Sequence, residues 1–307
     1  MSVEIDPEIL AARAAQAARF GAFDVTAMPA AEARTIADAA AGMFNDGLPE
    51  MARVEDRDVA GMRLRVYVPH ERRARGSTYY LHGGGWLACS VDTHDRLLRS
   101  LAELTGAPVF SADYRLCPEH PHPAPLDDVA KGWDWIEANA ATFGADAARI
   151  AVAGDSAGGN LSLALMLRLR DAARPLPAGA ALLYGCFAPG LDSESARTFG
   201  QGGYGLTDER MQWYWRNYLG GGEAIEAMPL RAPDLSRLPP IFLGIAEADT
   251  VADDSRLLAA RLAEAGVATQ TRVWPGTVHG FLQMSRDVAS ARAAIGDVAD
   301  ALRPWIA

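Results

Sequence analysis

From residue 53 onward, short apolar segments alternate with longer segments in which apolar positions recur at helical spacing. The segment 62–68 alternates apolar and polar side chains, which predicts a strand that pairs with the preceding one across a turn at Ala60 and Gly61. Further strands are predicted at 78–81, 109–112, 150–153, 180–184, 241–245 and 270–274, and helices at 95–104, 126–143, 158–170, 253–265 and 287–305. The alternation predicts an α/β fold, with a mostly parallel sheet flanked by helices.

Two regions depart from this alternation. In residues 1–50 a helix is predicted to begin at Asp6 and Pro7, because Asp caps free N–H groups and Pro has none to lose, and a second helix spans about 30–44. The stretch after 180–184 is rich in glycine and contains an aromatic helix, and a structureless loop of that length is uncommon in a compact domain. We therefore predict one α/β domain over 51–307 with a helical insertion at about 188–236, which forms a lid with the helices of residues 1–50.

The balance of charge and the cysteines narrow the class of protein. The 307 residues include 29 basic and 39 acidic side chains, giving a net charge of −10, which disfavours nucleic-acid partners and favours a neutral substrate. Three cysteines (Cys89, Cys117 and Cys186) form neither a disulfide framework nor a zinc motif, which indicates free thiols in a reducing compartment. No segment is apolar enough to span a membrane and no secretory signal is present, so we expect a cytoplasmic protein with no membrane partner.

Two glycine-rich motifs carry the candidate chemistry. The Gly-Asp-Ser-Ala-Gly sequence at 154–158 lies between a predicted strand and a predicted helix, where glycines permit a sharp turn that projects the serine hydroxyl above the sheet. The His-Gly-Gly-Gly sequence at 82–85 follows another strand and is known to accompany such a serine. Backbone N–H groups there can stabilise negative charge developing on a carbonyl oxygen. We assign Ser156 as the nucleophile and the N–H groups of Gly83, Gly84 and Ala157 as the donors to this oxygen.

The partners of such a serine follow it in the order acid, then histidine. His279 is the one histidine after Ser156 and lies in a predicted loop after the last strand, so it is the candidate to take and return the serine proton. The acid, which would fix the tautomer and orientation of the histidine, is expected after the strand at 241–245. Asp249 is the first choice; its rivals are Glu247, Asp253 and Asp254, of which the last two could instead cap the next helix.

Four motifs together resemble the bacterial branch of the hormone-sensitive-lipase family of α/β-hydrolases. They are His-Gly-Gly-Gly-Trp at 82–86, the segment from Asp113-Tyr114-Arg115-Leu116 through Pro118-Glu119-His120 to Asp127-Asp128, Gly-Asp-Ser-Ala-Gly-Gly at 154–159, and His279-Gly280-Phe281. The resemblance covers the chain from about residue 53 to its end. It implies an α/β-hydrolase fold with a discontinuous helical cap, serine carboxylesterase activity on short-chain acyl esters through an acyl-enzyme, and neither a metal nor an organic cofactor. It also implies a homodimer.

Other functions remain open at the level of the sequence. The same Ser-His-Asp machinery attacks amides, so an amide or formamide hydrolase is the alternative. A non-catalytic ligand-binding member of the fold is disfavoured because Ser156 and His279 are both present. The histidines and carboxylates of residues 119–128 could ligate a metal, but their spacing matches no known site, so we predict none.

We expect aromatic side chains to line the substrate pocket. Residues 213–218 contain an aromatic stripe on a predicted helix, which would be half core and half pocket wall. The candidates for the pocket wall and floor are Phe20, Phe23, Trp86, Tyr214, Trp215 and Phe281.

Overall fold

An eight-stranded sheet runs through the protein, whose computed structural model describes residues 3–21 and 24–307. The strands are β1 (Arg53–Val59), β2 (Met62–Val68), β3 (Ser77–Leu81), β4 (Val109–Ala112), β5 (Ile150–Asp155), β6 (Ala180–Leu183), β7 (Ile241–Ala248) and β8 (Thr269–Val278). Their spatial order is β1-β2-β4-β3-β5-β6-β7-β8; β2 is antiparallel to β1 and to β4, and the other neighbours are parallel. The predicted α/β fold is confirmed, and so is the turn between β1 and β2, where Val59 pairs with Met62.

Helices cover both faces of this sheet. The α-helices are α1 (Pro7–Phe20), α2 (Ala30–Gly42), α3 (Asp95–Thr105), α4 (Ala124–Asn139), α5 (Ala157–Asp171), α6 (Glu194–Phe199), α7 (Asp208–Leu219), α8 (Ala252–Glu264) and α9 (Ala289–Ile306). Because successive strand side chains point to opposite faces, Tyr80 joins the apolar core under α3 and α9, whereas Tyr79 joins the core under α4, α5 and α8. Within the described ranges, no helix is long and apolar enough to cross a membrane.

The carboxyl ends of β7 and β8 differ from the prediction in a way that matters for the site. Strand β8 continues to Val278, whereas the sequence predicts its end at 274 and a loop beyond it. The extension is held because Ala248 of β7 pairs with Val278 after a local register shift. Asp249 and His279 therefore follow the last residues of two neighbouring parallel strands, at one edge of the sheet.

The amino-terminal helices contact the insertion between β6 and β7, which contains α6 and α7. The Ser193 and Thr207 side chains cap these two helices by accepting a hydrogen bond from a backbone N–H in the first turn. Arg13 of α1 donates from Nη1 to the Gly203 carbonyl oxygen at 3.0 Å, and Gln16 donates from Nε2 to the Ala40 carbonyl oxygen at 3.0 Å. These bonds join α1 to the insertion on one side and to α2 on the other.

Candidate active site

Ser156 lies at the sharp turn between β5 and α5, where its φ is 53°. The turn requires glycine on both sides, because a Cβ on Gly154 would lie 2.4 Å from the Gly158 carbonyl oxygen, and a Cβ on Gly158 would lie 1.9 Å from the Leu81 carbonyl oxygen. The Ser156 N–H donates to the Leu183 carbonyl oxygen at 2.8 Å, which fixes the turn to the end of β6. The strained serine is thus held by its neighbours, as the motif predicts.

A continuous chain of hydrogen bonds joins Ser156, His279 and Asp249. His279 Nε2 lies 2.8 Å from Ser156 Oγ, and His279 Nδ1 lies 2.7 Å from Asp249 Oδ2. Because an ionised carboxylate can only accept, Nδ1 carries the ring proton and Nε2 is left to accept from the serine hydroxyl. The other oxygen of Asp249, Oδ1, accepts from the Val251 N–H at 3.1 Å, so the acid is itself held in place. The structure therefore brings together the three residues selected from the sequence.

The three rival acids have other partners. Glu247 accepts from the Gly276 N–H at 2.7 Å, and Asp253 accepts from the Ser195 N–H at 2.9 Å. Asp254 is buried and accepts from the Phe187 N–H at 2.7 Å and, more weakly, from the next N–H along the chain. None of the three lies within hydrogen-bonding distance of the His279 ring, so Asp249 is the one of the four candidate acids that binds His279.

Opposing effects act on the pKa of His279. Burial of the ring lowers the pKa, but the negative charge of Asp249 and its hydrogen bond outweigh burial, with smaller contributions from Asp155 and Asp254. The net result is a pKa raised above the ordinary value for histidine. A histidine with a raised pKa accepts a proton readily near neutral pH and can then donate it to a leaving group.

The structure corrects one of the predicted N–H donors. The Gly83 N–H donates to Asp155 Oδ1 at 3.0 Å and is therefore not available to a substrate. Gly84 and Gly85 line the cavity at Ser156, and among the described residues neither N–H has an acceptor, nor does that of Ala157 at the start of α5. The three candidate donors are thus Gly84, Gly85 and Ala157, and Gly85 is the one that the sequence prediction missed.

The carboxylate of Asp155, next to the nucleophile, is buried in a network of donors. It accepts from the Tyr80 hydroxyl at 3.0 Å as well as from Gly83, and His94 Nε2 lies 3.3 Å from the same oxygen. Burial raises the pKa of Asp155, but the neighbouring His94 and the hydrogen bonds outweigh it and lower the pKa below the usual value. Asp155 therefore stays ionised, and its role is to hold the glycine loop against β5.

A cavity of about 380 Å³ opens directly over Ser156 and His279. Its lining comes from the glycine loop, from α1 and from the insertion, including Leu206, Met211 and Tyr214 of the insertion. The sequence prediction missed two charged lining residues, Arg13 of α1 and Arg210 of α7. Their convergence is set by the packing of helices that are far apart in the chain, so no local pattern could have revealed it.

Most of the predicted aromatic lining is not in this cavity. Trp86 is fully buried because its ring stacks on Tyr218, with ring centroids 4.2 Å apart, and Trp215 packs against the same Trp86 ring. Phe281 is buried against Tyr184 and Trp274. Phe20 is partly buried and also does not line the cavity, whereas Phe23 lies outside the described residues. Of the predicted wall, Tyr214 is the residue that lines the cavity.

In the histidine- and acid-rich segment at 119–128, the carboxylates form ion pairs with arginines. Glu119 binds Arg34 at 2.7 Å, Asp127 binds Arg168 at 2.7 Å, and Asp128 binds Arg115 at 2.7 Å. In the part of the chain that the structure describes, no group of three or more His, Cys, Asp and Glu side chains is placed to hold a metal ion.

Comparisons with known proteins agree with this geometry. A family model described as the α/β hydrolase fold matches residues 78–283. The chain is 37% identical over 272 residues to the carboxylesterase NlhH of Mycobacterium tuberculosis, covering 81% of each chain. It is 38% identical over 241 residues to the acetyl esterase of Salmonella enteritidis, covering 76% of this chain and 73% of that relative. The crystal structure of an esterase from the bacterial hormone-sensitive lipase family superposes with a TM-score of 0.88 at 30% identity, covering 100% of both chains.

Proposed function

The chain belongs to the hormone-sensitive-lipase family of α/β-hydrolases, and we propose that it hydrolyses short-chain carboxylic esters through an acyl-enzyme on Ser156. The observation that carries the proposal is the hydrogen-bonded chain from Ser156 through His279 to Asp249, which faces an open cavity. The relatives named carboxylesterase and acetyl esterase support the same reaction class.

In the proposed acylation step, His279 Nε2 takes the proton of Ser156 Oγ while Oγ bonds to the ester carbonyl carbon. The carbonyl oxygen gains negative charge and accepts from the N–H groups of Gly84, Gly85 and Ala157, a contribution of about a hundredfold in rate for each donor. His279 returns the proton to the alcohol oxygen as the bond between that oxygen and the carbonyl carbon breaks. The alcohol leaves, and the acyl group remains on Ser156.

Deacylation repeats the same steps with water as the nucleophile. Water gives a proton to His279 Nε2 as its oxygen bonds to the acyl carbon, and the same N–H groups stabilise the second oxyanion. The bond between Ser156 Oγ and the acyl carbon then breaks as His279 returns the proton to Oγ, and the carboxylic acid is released. Asp249 keeps the His279 ring in one tautomer and stabilises the ring when it is positively charged in both steps.

The lining and volume of the cavity support two further parts of the proposal, the helical cap and the size of the substrate. We propose that residues 1–50 and the insertion at about 188–236 form a discontinuous cap over the domain of residues 51–307, because α1 and α7 both contribute to the cavity wall. A volume of about 380 Å³ is near the lower end of the range for ligand pockets, which supports a small ester.

We also propose a cytoplasmic location, which is supported by three buried, unpaired cysteines. A small ester as the natural partner and a homodimer stay predictions.

A series of p-nitrophenyl esters tests the proposal. We expect kcat/KM to be highest for acyl chains of about two to four carbons and to fall at least about tenfold by eight carbons, because the cavity is small. Ser156→Ala should abolish hydrolysis of the acetate and butyrate while its thermal unfolding midpoint stays near that of the unmodified protein. Residual activity in Ser156→Ala at a tenth of the original rate or more would contradict the mechanism. Faster hydrolysis of p-nitroacetanilide than of p-nitrophenyl acetate would favour an amide hydrolase instead.

A further inference from the structure

The lining of the cavity over Ser156 includes two positively charged arginines, opposite in sign to the net charge of the chain. Arg13 comes from α1 and Arg210 from the first turn of α7, and both side chains are partly buried where they line the cavity. Asp155 is the one carboxylate among the described lining residues, and it is already bound to Tyr80 and Gly83. Among the described residues, the lining of this free space therefore contains two arginines and no acid that is free to pair with them.

Neither arginine forms an ion pair with a carboxylate in the described part of the chain. Most arginines that are partly buried here, such as Arg65 and Arg168, have carboxylates within 4 Å, whereas no carboxylate of residues 3–21 and 24–307 lies that close to Arg13 or Arg210. Arg13 makes one side-chain hydrogen bond, to the Gly203 carbonyl oxygen, and the Arg210 guanidinium makes none among the described residues. A guanidinium has five N–H donors, so this pair leaves most of its donors free for a ligand.

The two guanidinium groups are close enough to affect one another. Burial lowers the pKa of Arg13, and the positive charge of Arg210 lowers it further. The charge of Arg210 also acts on the exposed Asp24, but the pKa of Asp24 is lowered chiefly by its own bonds to Thr26 and only weakly by Arg210. Two like charges held together in a partly buried cavity favour the binding of an anion between them.

We propose that Arg13 and Arg210 form an anion subsite, and that the preferred substrate is a small ester that carries a second, ionised carboxylate. The proposal rests on the proposed function and deepens it, because it names the class of ester. A sphere of 380 Å³ is about 9 Å across, so a carboxylate at the guanidinium groups and a carbonyl at Ser156 fit in one small molecule. Arginine suits this role because its planar fork can bind both carboxylate oxygens at once.

Matched pairs of substrates test the subsite and locate the anion. For the acyl side, the pair is p-nitrophenyl hydrogen glutarate and p-nitrophenyl methyl glutarate, and for the alcohol side it is 4-acetoxybenzoate and 4-acetoxybenzamide. We expect at least one pair to show kcat/KM about tenfold or more higher for the anion, and this ratio should fall as salt is raised. In Arg210→Gln the ratio should fall toward one, by about tenfold or more, the usual loss for a hydrogen bond to a charged group.

Arg216→Gln is the matched control, because Arg216 is exposed on the same helix, does not line the cavity and carries the same charge. Its anion-to-neutral ratio should stay within about twofold of the unmodified protein, since exposed charges are screened by solvent. Arg13→Lys, which keeps the charge but not the fork, should lose less of the ratio than Arg13→Gln. Equal losses in Arg210→Gln and Arg216→Gln, or a ratio near one for both pairs in the unmodified protein, would overturn the subsite.

Binding without turnover separates the subsite from the reaction. In a Ser156→Ala background, calorimetry with glutarate monomethyl ester should detect binding that Arg210→Gln weakens about tenfold or more. If neutral esters are hydrolysed but the ratio is near one and no binding is seen, the anion subsite is wrong and the proposed function stands. If no ester is hydrolysed but this binding is present, the proposed function is wrong and the subsite stands.

Discussion

Replacement of Asp249 by asparagine tests how the site controls the proton of His279. The amide can lie in two orientations, and the Val251 N–H, 3.1 Å from Oδ1, selects the one that keeps an oxygen facing it. The amide nitrogen then faces His279 Nδ1, which has to become an acceptor. The ring proton moves to Nε2, 2.8 Å from Ser156 Oγ, where it blocks acceptance of the serine proton.

These contacts determine how much kcat Asp249→Asn should lose. Turning the amide over would restore the productive tautomer, but it would leave the buried Val251 N–H without an acceptor, at a cost of about 1–3 kcal/mol. The productive orientation is thus a minor one, and the positive charge on His279 also loses its partner. We expect kcat to fall by about 10⁴-fold, the loss known for the same change in other Ser-His-Asp sites.

The assay is steady-state hydrolysis of p-nitrophenyl acetate between pH 5 and pH 9. His279 works as a base only when neutral, so activity should fall as the pH drops through its pKa, which is raised above the ordinary value of 6.5. Without the charge of Asp249, burial dominates and lowers that pKa, so the residual activity of Asp249→Asn should persist to lower pH.

Asp253→Asn is the control for this substitution. Asp253 lies nearby, in the first turn of α8, but its carboxylate binds the Ser195 N–H and Arg256 rather than the histidine. The kcat of Asp253→Asn should remain within about threefold of the unmodified protein, since this acid does not contact the reacting residues. A tenth of the activity retained in Asp249→Asn, or a loss in Asp253→Asn as large as that in Asp249→Asn, would show that Asp249 does not control the proton of His279.

Two other buried acids should affect stability in opposite ways. Burial raises the pKa of Asp254 to about 7, so the folded protein binds a proton that the unfolded chain has released, and stability falls as pH rises from about 4 to 7. Asp254→Asn should therefore be better tolerated at pH 8 than at pH 5, by about 2–3 kcal/mol in urea unfolding; an equal effect at both would count against it. Asp155→Asn should cost about 3 kcal/mol at pH 7, because the amide can keep an oxygen facing Tyr80 and Gly83 but lacks the negative charge that these donors and His94 surround; a loss under about 1 kcal/mol would show that the charge is not needed.

The parts of the fold and site set by local sequence could be predicted, and the parts set by distant contacts could not. The turn at Ser156 is built from its own flanking glycines, strand and helix, so the motif is enough to place it. His279 could be selected because it is the one histidine after Ser156. The same holds for most strands of the sheet, which are short apolar segments between helical ones in the sequence.

The predicted donors of the glycine loop differ from the observed ones by one residue, because a side chain far away in the sequence occupies the first N–H group. Whether Gly83 can bind substrate depends on the direction in which Asp155 points, and that carboxylate is turned toward the glycine loop. The sequence predicts Trp86 in the pocket, but its ring is covered by Tyr218, which lies on α7 of the insertion. The position of Arg210 beside Arg13 likewise depends on how α7 packs near α1, which composition and periodicity do not report.

The most direct test of the central claim is to trap the acyl group on the enzyme. The protein is mixed with p-nitrophenyl acetate, quenched in acid within milliseconds, digested and analysed by mass spectrometry for peptides that have gained one acetyl group. We expect one acetylated site, Ser156, in the peptide that joins β5 to α5, and no such adduct in Ser156→Ala. Acetylation of another residue during turnover, or hydrolysis at an unchanged rate in Ser156→Ala, would show that Ser156 is not the nucleophile.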